Sequence, residues 1–257
     1  FNPTTLIDVS CNGLSDGSAT ILNIITGGSG GPYDFEWFNG DTINLTQTAL
    51  SAGAYYVIIT DNSGCSNTIH FTITEPAPLQ ENPTVLQNVS CNGSSDGTAT
   101  VNVGGGIPGY TYSWDDPAAQ TTATATNLSA GTYICIITDS CNCSITISVT
   151  INQPNAITVS SASTSVSCNG ANNGEASVNI FGGTSYSYSW NSNPIQTTAT
   201  ASNLFAGTYI CIITDSINCS VNDTITITQP DSLKIIITTD SALCYGSSGL
   251  ANIYPIG

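Results

Sequence analysis

An all-β chain of tandem antiparallel sandwich modules is the prediction, and three observations carry it. The phrase Val-Ser-Cys-Asn-Gly opens at Val9, again at Val89 and again at Val166, so the 257-residue chain repeats itself. Short runs alternate apolar residues with Thr, Ser and Asn between Gly- and Pro-marked turns, which is the period of a strand and not of a helix. Each repeat also sets a Trp on an early strand and a Leu-x-Ala-Gly-x-Tyr phrase before a later one, the pattern of an immunoglobulin-like sandwich of about seven strands.

The cysteines of these opening motifs measure the repeat. Cys11, Cys91 and Cys168 are followed by Cys244 in an altered copy, Leu243-Cys244-Tyr245-Gly246, giving spacings of 91−11=80, 168−91=77 and 244−168=76. We therefore expect modules over residues 1–78, 79–155 and 156–232, with the start of a fourth at 233–257. Phe1 begins no signal peptide and Gly257 falls inside an expected strand, so both ends read as cuts in a longer parent.

In the first module, Ser18 to Ile24 reads as a strand, and the Gly27-Gly28-Ser29-Gly30-Gly31-Pro32 turn follows it. The next strand places Tyr33, Phe35 and Trp37 on one face, as do Tyr110, Tyr112 and Trp114, then Tyr186, Tyr188 and Trp190, in the later modules. Leu50 to Tyr55, Leu128 to Tyr133 and Leu204 to Tyr209 resemble the tyrosine corner that precedes a buried strand. That strand ends at Thr60-Asp61, Thr138-Asp139 or Thr214-Asp215, and a tight turn leads to Cys65, Cys143 or Cys219. Glu75-Pro76, Gln153-Pro154 and Gln229-Pro230 close the modules, because proline ends a hydrogen-bonded ladder and stiffens a short linker.

One Lys, no Arg and one His stand against seventeen Asp and Glu, a formal charge of −16. Nucleic acid is excluded as a partner, since tracking phosphates needs clustered basic residues, and an anionic membrane surface would repel the chain. No run reaches the roughly 20 apolar residues of a membrane helix. The 40% hydrophobic share argues for an ordered chain despite its low charge content.

Cysteines recur at two equivalent positions per module, which predicts three disulfides within modules: Cys11 with Cys65, Cys91 with Cys143, and Cys168 with Cys219. Each would close a loop of about fifty residues and remove roughly 4 kcal/mol of unfolded-chain freedom on the entropic account. Such pairing places the chain in an oxidising, extracellular setting. Cys135 and Cys211 match Val57 and read as small core residues, Cys141 has no counterpart, and Cys244 awaits the rest of its module. The close pair Cys141 and Cys143 lacks matching ligands for zinc.

The aromatic triplets read as core, with a carbohydrate-stacking face as the alternative. Calcium is the candidate ligand of the oxygen-rich opening turns at Asp16 and Asp96, with Asp61, Asp139 and Asp215 as further oxygens, although the same residues serve tight-turn geometry. His70 lies in a Thr-rich strand with no triad around it, and the pairs Asp34 with Glu36 and Asp115 with Asp116 do not recur, so no catalytic seat is expected. Ile58, Ile134, Ile136, Ile210 and Ile212 fall opposite the corner tyrosines, an apolar stripe to be covered by a neighbouring module, another chain or a loop.

Together the Cys-Asn-Gly-x-x-Asp-Gly opening, the Tyr-x-Tyr-x-Trp strand, the Leu-x-Ala-Gly-Thr-Tyr turn and the Asp-x-x-x-Cys hairpin resemble the SprB repeat, found in tandem in Bacteroidota cell-surface and gliding adhesins. The resemblance implies type IX secretion, surface display and no catalytic residues. It departs at Asn173, which replaces the Asp of the opening turn, and at Val57. It also implies O-glycan sequons of the form Asp-Ser/Thr-aliphatic, matched at Thr42, Ser216, Thr224, Ser232 and Ser241. The expected role is a non-enzymatic stalk whose partners are neighbouring repeats of one long chain. A fibre subunit completed by strand exchange with other copies, and a module binding surface polysaccharide, are the alternatives.

Overall fold

The computed structural model describes residues 4–22, 28–29, 31–240, 245 and 250–256. Residues 23–27 and Gly30, which hold the end of the first expected strand and part of the glycine turn, lie outside the described residues. Every regular element among those described is a strand. The first repeat holds β1 (Thr4–Ile7), β2 (Gly17–Ile21), β3 (Asp34–Trp37), β4 (Thr46–Leu50), β5 (Gly53–Thr60) and β6 (Ser66–Ile73). The second holds β7 (Gln80–Gln87), β8 (Gly97–Gly104), β9 (Thr111–Trp114), β10 (Thr124–Leu128), β11 (Gly131–Thr138) and β12 (Ser144–Ile151). The third holds β13 (Thr158–Thr164), β14 (Gly174–Phe181), β15 (Ser187–Trp190), β16 (Thr200–Leu204), β17 (Gly207–Thr214) and β18 (Ser220–Ile227). A hairpin of β19 (Lys234–Asp240) and β20 (Leu250–Ile256) follows.

Within each repeat the strands form two three-stranded antiparallel sheets, ordered β1-β2-β4 and β3-β5-β6 in the first. Val9, Ala19, Ile21 and Leu50 from one side and Trp37, Val57, Phe71 and Ile73 from the other share a single core, which makes the pair of sheets an immunoglobulin-like sandwich. The third repeat builds the same core from Ala176, Val178, Trp190, Leu204, Cys211 and Ile227. Period-two alternation produces it: β12 buries Ile147, Val149 and Ile151 while the Thr and Ser between them face water. The chain divides into two compact units, residues 1–88 with 95–152, and residues 89–94 with 153–257.

Among the described residues each repeat has six strands. Residues 38–45 form a loop between β3 and β4, and loops in this place supply the acceptor that each buried indole N–H needs. Trp37 Nε1 donates to the Asn44 carbonyl at 2.8 Å, Trp114 Nε1 to Thr122 at 2.9 Å and Trp190 Nε1 to Thr198 at 2.9 Å. The tyrosine corners are present in all three repeats: Tyr55, Tyr133 and Tyr209 donate to the carbonyls of Ser51, Ser129 and Phe205 at 3.0, 3.1 and 3.1 Å. In the triplets each Trp is buried and the other two rings are half-buried.

One inward position breaks the pattern. Asp223 faces Cys211 across the β17–β18 pair, where the second repeat places Ile147 opposite Cys135. Its Oδ2 is buried with no hydrogen-bond partner. An unsatisfied buried oxygen costs on the order of 1–3 kcal/mol, so Asp223→Ile is expected to stabilise the third repeat by about that amount. Urea unfolding followed by tryptophan fluorescence measures it, and an unchanged or lower midpoint would contradict the assignment.

Candidate functional site at the cysteine joints

The hairpin of β5 and β6 and the opening turn of the same repeat lie at opposite ends of their sandwich. Val9 N–H donates to the Thr74 carbonyl and Gly17 pairs with Leu50, which puts the opening turn beside the end of β6 and the start of β5. Thr60 pairs with Ser66 at the other end of β5. Eight strand residues at ~3.3 Å each separate these ends by more than about 20 Å, whereas a disulfide needs Cα atoms within about 7 Å. The expected pairs within modules are therefore replaced. Cys11 bonds Cys143, with Cα atoms 5.7 Å apart, and Cys91 bonds Cys219, at 5.6 Å. Cys65 and Cys168 are free and exposed.

Each disulfide joins an opening turn to the hairpin of the following repeat, and the surroundings are built alike. In the first unit, Asn12 Nδ2 donates to the Pro76 carbonyl at 3.1 Å and Gly13 N–H to Glu75 Oε2 at 2.6 Å, which pins the opening turn onto the linker. Gly106 N–H then donates to the Ala77 carbonyl at 2.7 Å. Gly105 and Gly106 have φ of +78° and +59°, and a Cβ on Gly105 would collide with the Pro78 carbonyl, so the loop before β9 needs glycine here. In the second unit Asn92 and Gly93 bond Pro154 and Gln153 at 3.0 and 2.9 Å, and a Cβ on Gly182 would collide with Ala156. The third opening turn repeats the clamp on Pro230 and Gln229 at 3.1 and 3.0 Å.

The calcium candidates Asp61 and Asp139 are buried carboxylates that accept backbone N–H groups. Asp61 takes Ser29, Ser63 and Cys65, and Asp139 takes Ile107, Cys141 and Cys143, all at 2.9–3.0 Å. Asp215 takes Ile217 and Cys219 at 3.0 and 2.9 Å. In this way each hairpin cysteine is positioned by the aspartate four residues before it. Asp16 accepts the Ser10 N–H at 3.0 Å, and Asn173 accepts the Ser167 N–H at the same distance, so this side-chain oxygen acts as a turn cap in both repeats. Asp96 holds the matching place in the second opening turn. No cluster of three or more His, Cys, Asp or Glu suited to a metal occurs among the described residues.

Cys135 and Cys211 are fully buried; burial pushes the Cys135 thiol up and the Cys211 thiol up to about 11. Cys141 is half-buried, and Cys244 lies outside the described residues. In the stripe, Ile134, Ile136, Ile210 and Ile212 remain 39–45% exposed, while Ile58 is half-buried. His70 is exposed, with its ring 6.2 Å from that of Tyr56. Thr42, Ser216, Thr224 and Ser232 are exposed, and Ser241 lies outside the described residues. A cleft of about 650 Å³ at the second joint is lined by residues such as Asn92, Asn155, Asp215 and Asn218, with no aromatic ring among them.

Digestion without reduction should yield linked peptides carrying Cys11 with Cys143 and Cys91 with Cys219, while alkylation of the native protein marks Cys65 and Cys168 and spares Cys135 and Cys211. A Cys11–Cys65 peptide would overturn the pairing. The N–H donors of Ser29 at Asp61 and of Ile107 at Asp139 come first among those holding both carboxyls below the usual aspartate range. The unfolded state then binds more protons, so stability is complete above about pH 5 and falls as pH drops through about 4 and below. Urea midpoints between pH 6 and pH 3 test this; Asp61→Asn with Asp139→Asn should flatten the decline, and a midpoint flat in the unmodified protein would refute it.

The SprB repeat family model matches the chain three times, over residues 4–42, 84–119 and 160–194. Each match spans an opening turn and the Trp strand after it. No match was found among curated proteins. Among solved structures, a three-immunoglobulin-domain structure of titin is 13% identical, covering 90% of this chain and all of that one at a TM-score of 0.38. The N-terminal eight immunoglobulin domains of Down Syndrome Cell Adhesion Molecule are 12% identical over 90% of this chain and 35% of theirs, at 0.37. Sidekick-1 immunoglobulin domains 1–5 are 13% identical over 88% and 58%, at 0.29. The immunoglobulin-like assignment rests on the sheet orders, the buried Trp and the tyrosine corners described above. The SprB repeat family model thus recurs once in each of three successive repeats of this chain.

Proposed function

We propose that this chain is a non-enzymatic segment of an extracellular stalk, which holds the binding part of a secreted surface adhesin away from the cell. The observation that carries the reading is the disulfide from an opening turn to the next repeat's hairpin, found at both joints where the two lie in the chain. A bond that ties each repeat to its successor serves reach and continuity, and it persists in an oxidising compartment outside the cell. Cys65 and Cys168 are free and exposed at positions equivalent to the bonded ones, so neighbouring repeats of one long chain are the first partners proposed. Export by the type IX route, a part in gliding and occupancy of the exposed sequons belong to the same proposal. Calcium is no part of it: the Ser10 N–H and hydroxyl donate to the Asp16 carboxylate, and backbone N–H groups donate to Asp61 and Asp139.

Small-angle scattering on the oxidised chain tests the stalk. A radius of gyration well above the roughly 18 Å of a compact globule of this length is expected; a value at that figure would rule the stalk out. A second reading, a fibre subunit completed by another copy, is favoured by the β19–β20 hairpin. Ile235, Ile236, Ile237, Ile253 and Tyr254 there are 48–64% exposed, and a two-stranded sheet offers open edges. Sedimentation across a range of concentrations separates the two readings, because a fibre subunit associates and a stalk does not.

A further inference from the structure

The two disulfides overlap in sequence. The first closes residues 11–143 and the second residues 91–219, so residues 91–143 lie inside both loops. Each loop also encloses one linker: Cys11–Cys143 spans the Glu75-Pro76 linker, and Cys91–Cys219 spans the Gln153-Pro154 linker. We infer that the overlapping staples make this chain a fail-safe tether, in which no single backbone break between Cys11 and Cys219 parts its two ends.

The covalent routes can be followed one at a time. A break within 12–90 leaves the crossing from Cys11 to Cys143 and the backbone onward to Cys219. Within 144–218, a break leaves the backbone from Cys11 to Cys91 and the crossing from there to Cys219. If the break falls within 92–142, both of those routes survive together. Disulfides inside modules would protect the sandwiches and leave the linkers, the exposed proline-marked segments where proteases act, as single points of failure. The overlapping pattern puts its protection on the linkers.

Tension is routed in the same way. From Cys11 to Cys219 the backbone runs 219−11=208 residues, but the shortest covalent route crosses to Cys143, runs back through 143−91=52 residues to Cys91, and crosses to Cys219. At ~3.6 Å per residue the fully unfolded span is capped near ~190 Å instead of ~750 Å. Load enters the second repeat at its hairpin cysteine and leaves at its opening cysteine, so the linkers carry none of the final load. The inference deepens the stalk reading but rests only on the connectivity, so a compact scattering profile would defeat the stalk and leave it standing.

The test places a site-specific protease sequence in one linker or the other of the whole oxidised chain, cleaves to completion, and reads denaturing gels with and without reduction. Cleavage in the Gln153-Pro154 linker should leave one species near the intact 26.4 kDa until a dithiol is added. Cys219→Ser should release two fragments without reduction, whereas Cys143→Ser should not. For the Glu75-Pro76 linker the two variants exchange roles. Because the readout is taken in denaturant, a variant that folds poorly still answers the question. Fragments released from the unmodified chain without reduction would overturn the inference, as would release in Cys65→Ser or Cys168→Ser in place of the two named variants. Pulling single molecules by their ends gives an independent number: reduction should lengthen the unfolded chain by about 156 residues, roughly 560 Å, and no lengthening would refute the capped route.

Discussion

A disulfide tolerates about 7 Å between its Cα atoms, and an eight-residue strand keeps the opening turn and hairpin of one sandwich about three times that far apart. That mismatch governs how the chain is stapled. The two cysteines recurring in every repeat cannot meet within it, and the four that are bonded each reach a cysteine of the adjacent repeat. A feature that looks like internal reinforcement is therefore a joint, and the sandwich acts as the spacer between two joints.

The joint is more than its sulfurs. The hairpin aspartate gathers N–H groups from its own turn and from the loop before the Trp strand, fixing the direction in which the hairpin cysteine points. Glycines in that loop let the backbone pass against the linker carbonyls, and the Asn and Gly of the opening turn seize the linker from the other side. The half-buried tyrosines at the start of the triplet strands belong here too: Tyr110 donates to the Gly105 carbonyl at 2.6 Å and Tyr186 to that of Gly182. Their hydroxyls brace the glycine loops, so these triplets serve core and joint together.

The sandwich is legible in the sequence because its signals are local. Period-two alternation, a Trp at the end of a short strand and a Tyr that reaches back four residues are all settled within a few residues of chain. Cysteine recurrence points to the joints but to the wrong partners, because partner choice depends on which end of the sandwich the opening turn occupies. That is fixed by the pairing of Gly17 with Leu50, a long-range register no window of sequence contains. The eight-residue strand between corner and hairpin is visible in the sequence and, once tied to that register, excludes the internal pairs. Asp223 can be found only by aligning the repeats, where it stands against Ile147 in a buried row.

With one Lys, no Arg and one His in 257 residues, the chain cannot assemble its joints from ion pairs. The buried carboxylates of its hairpins are instead held by oriented N–H dipoles, and the links between its repeats are covalent. Salt weakens exposed charge pairs over distances near a Debye length, but it has little purchase on a buried carboxylate bonded to backbone amides or on a sulfur–sulfur bond. The formal charge of −16 is thereby left free to act between chains, where like charge opposes lateral association. A chain with so few cations thus has joints built from amides and sulfur, which hold alike at low and high ionic strength.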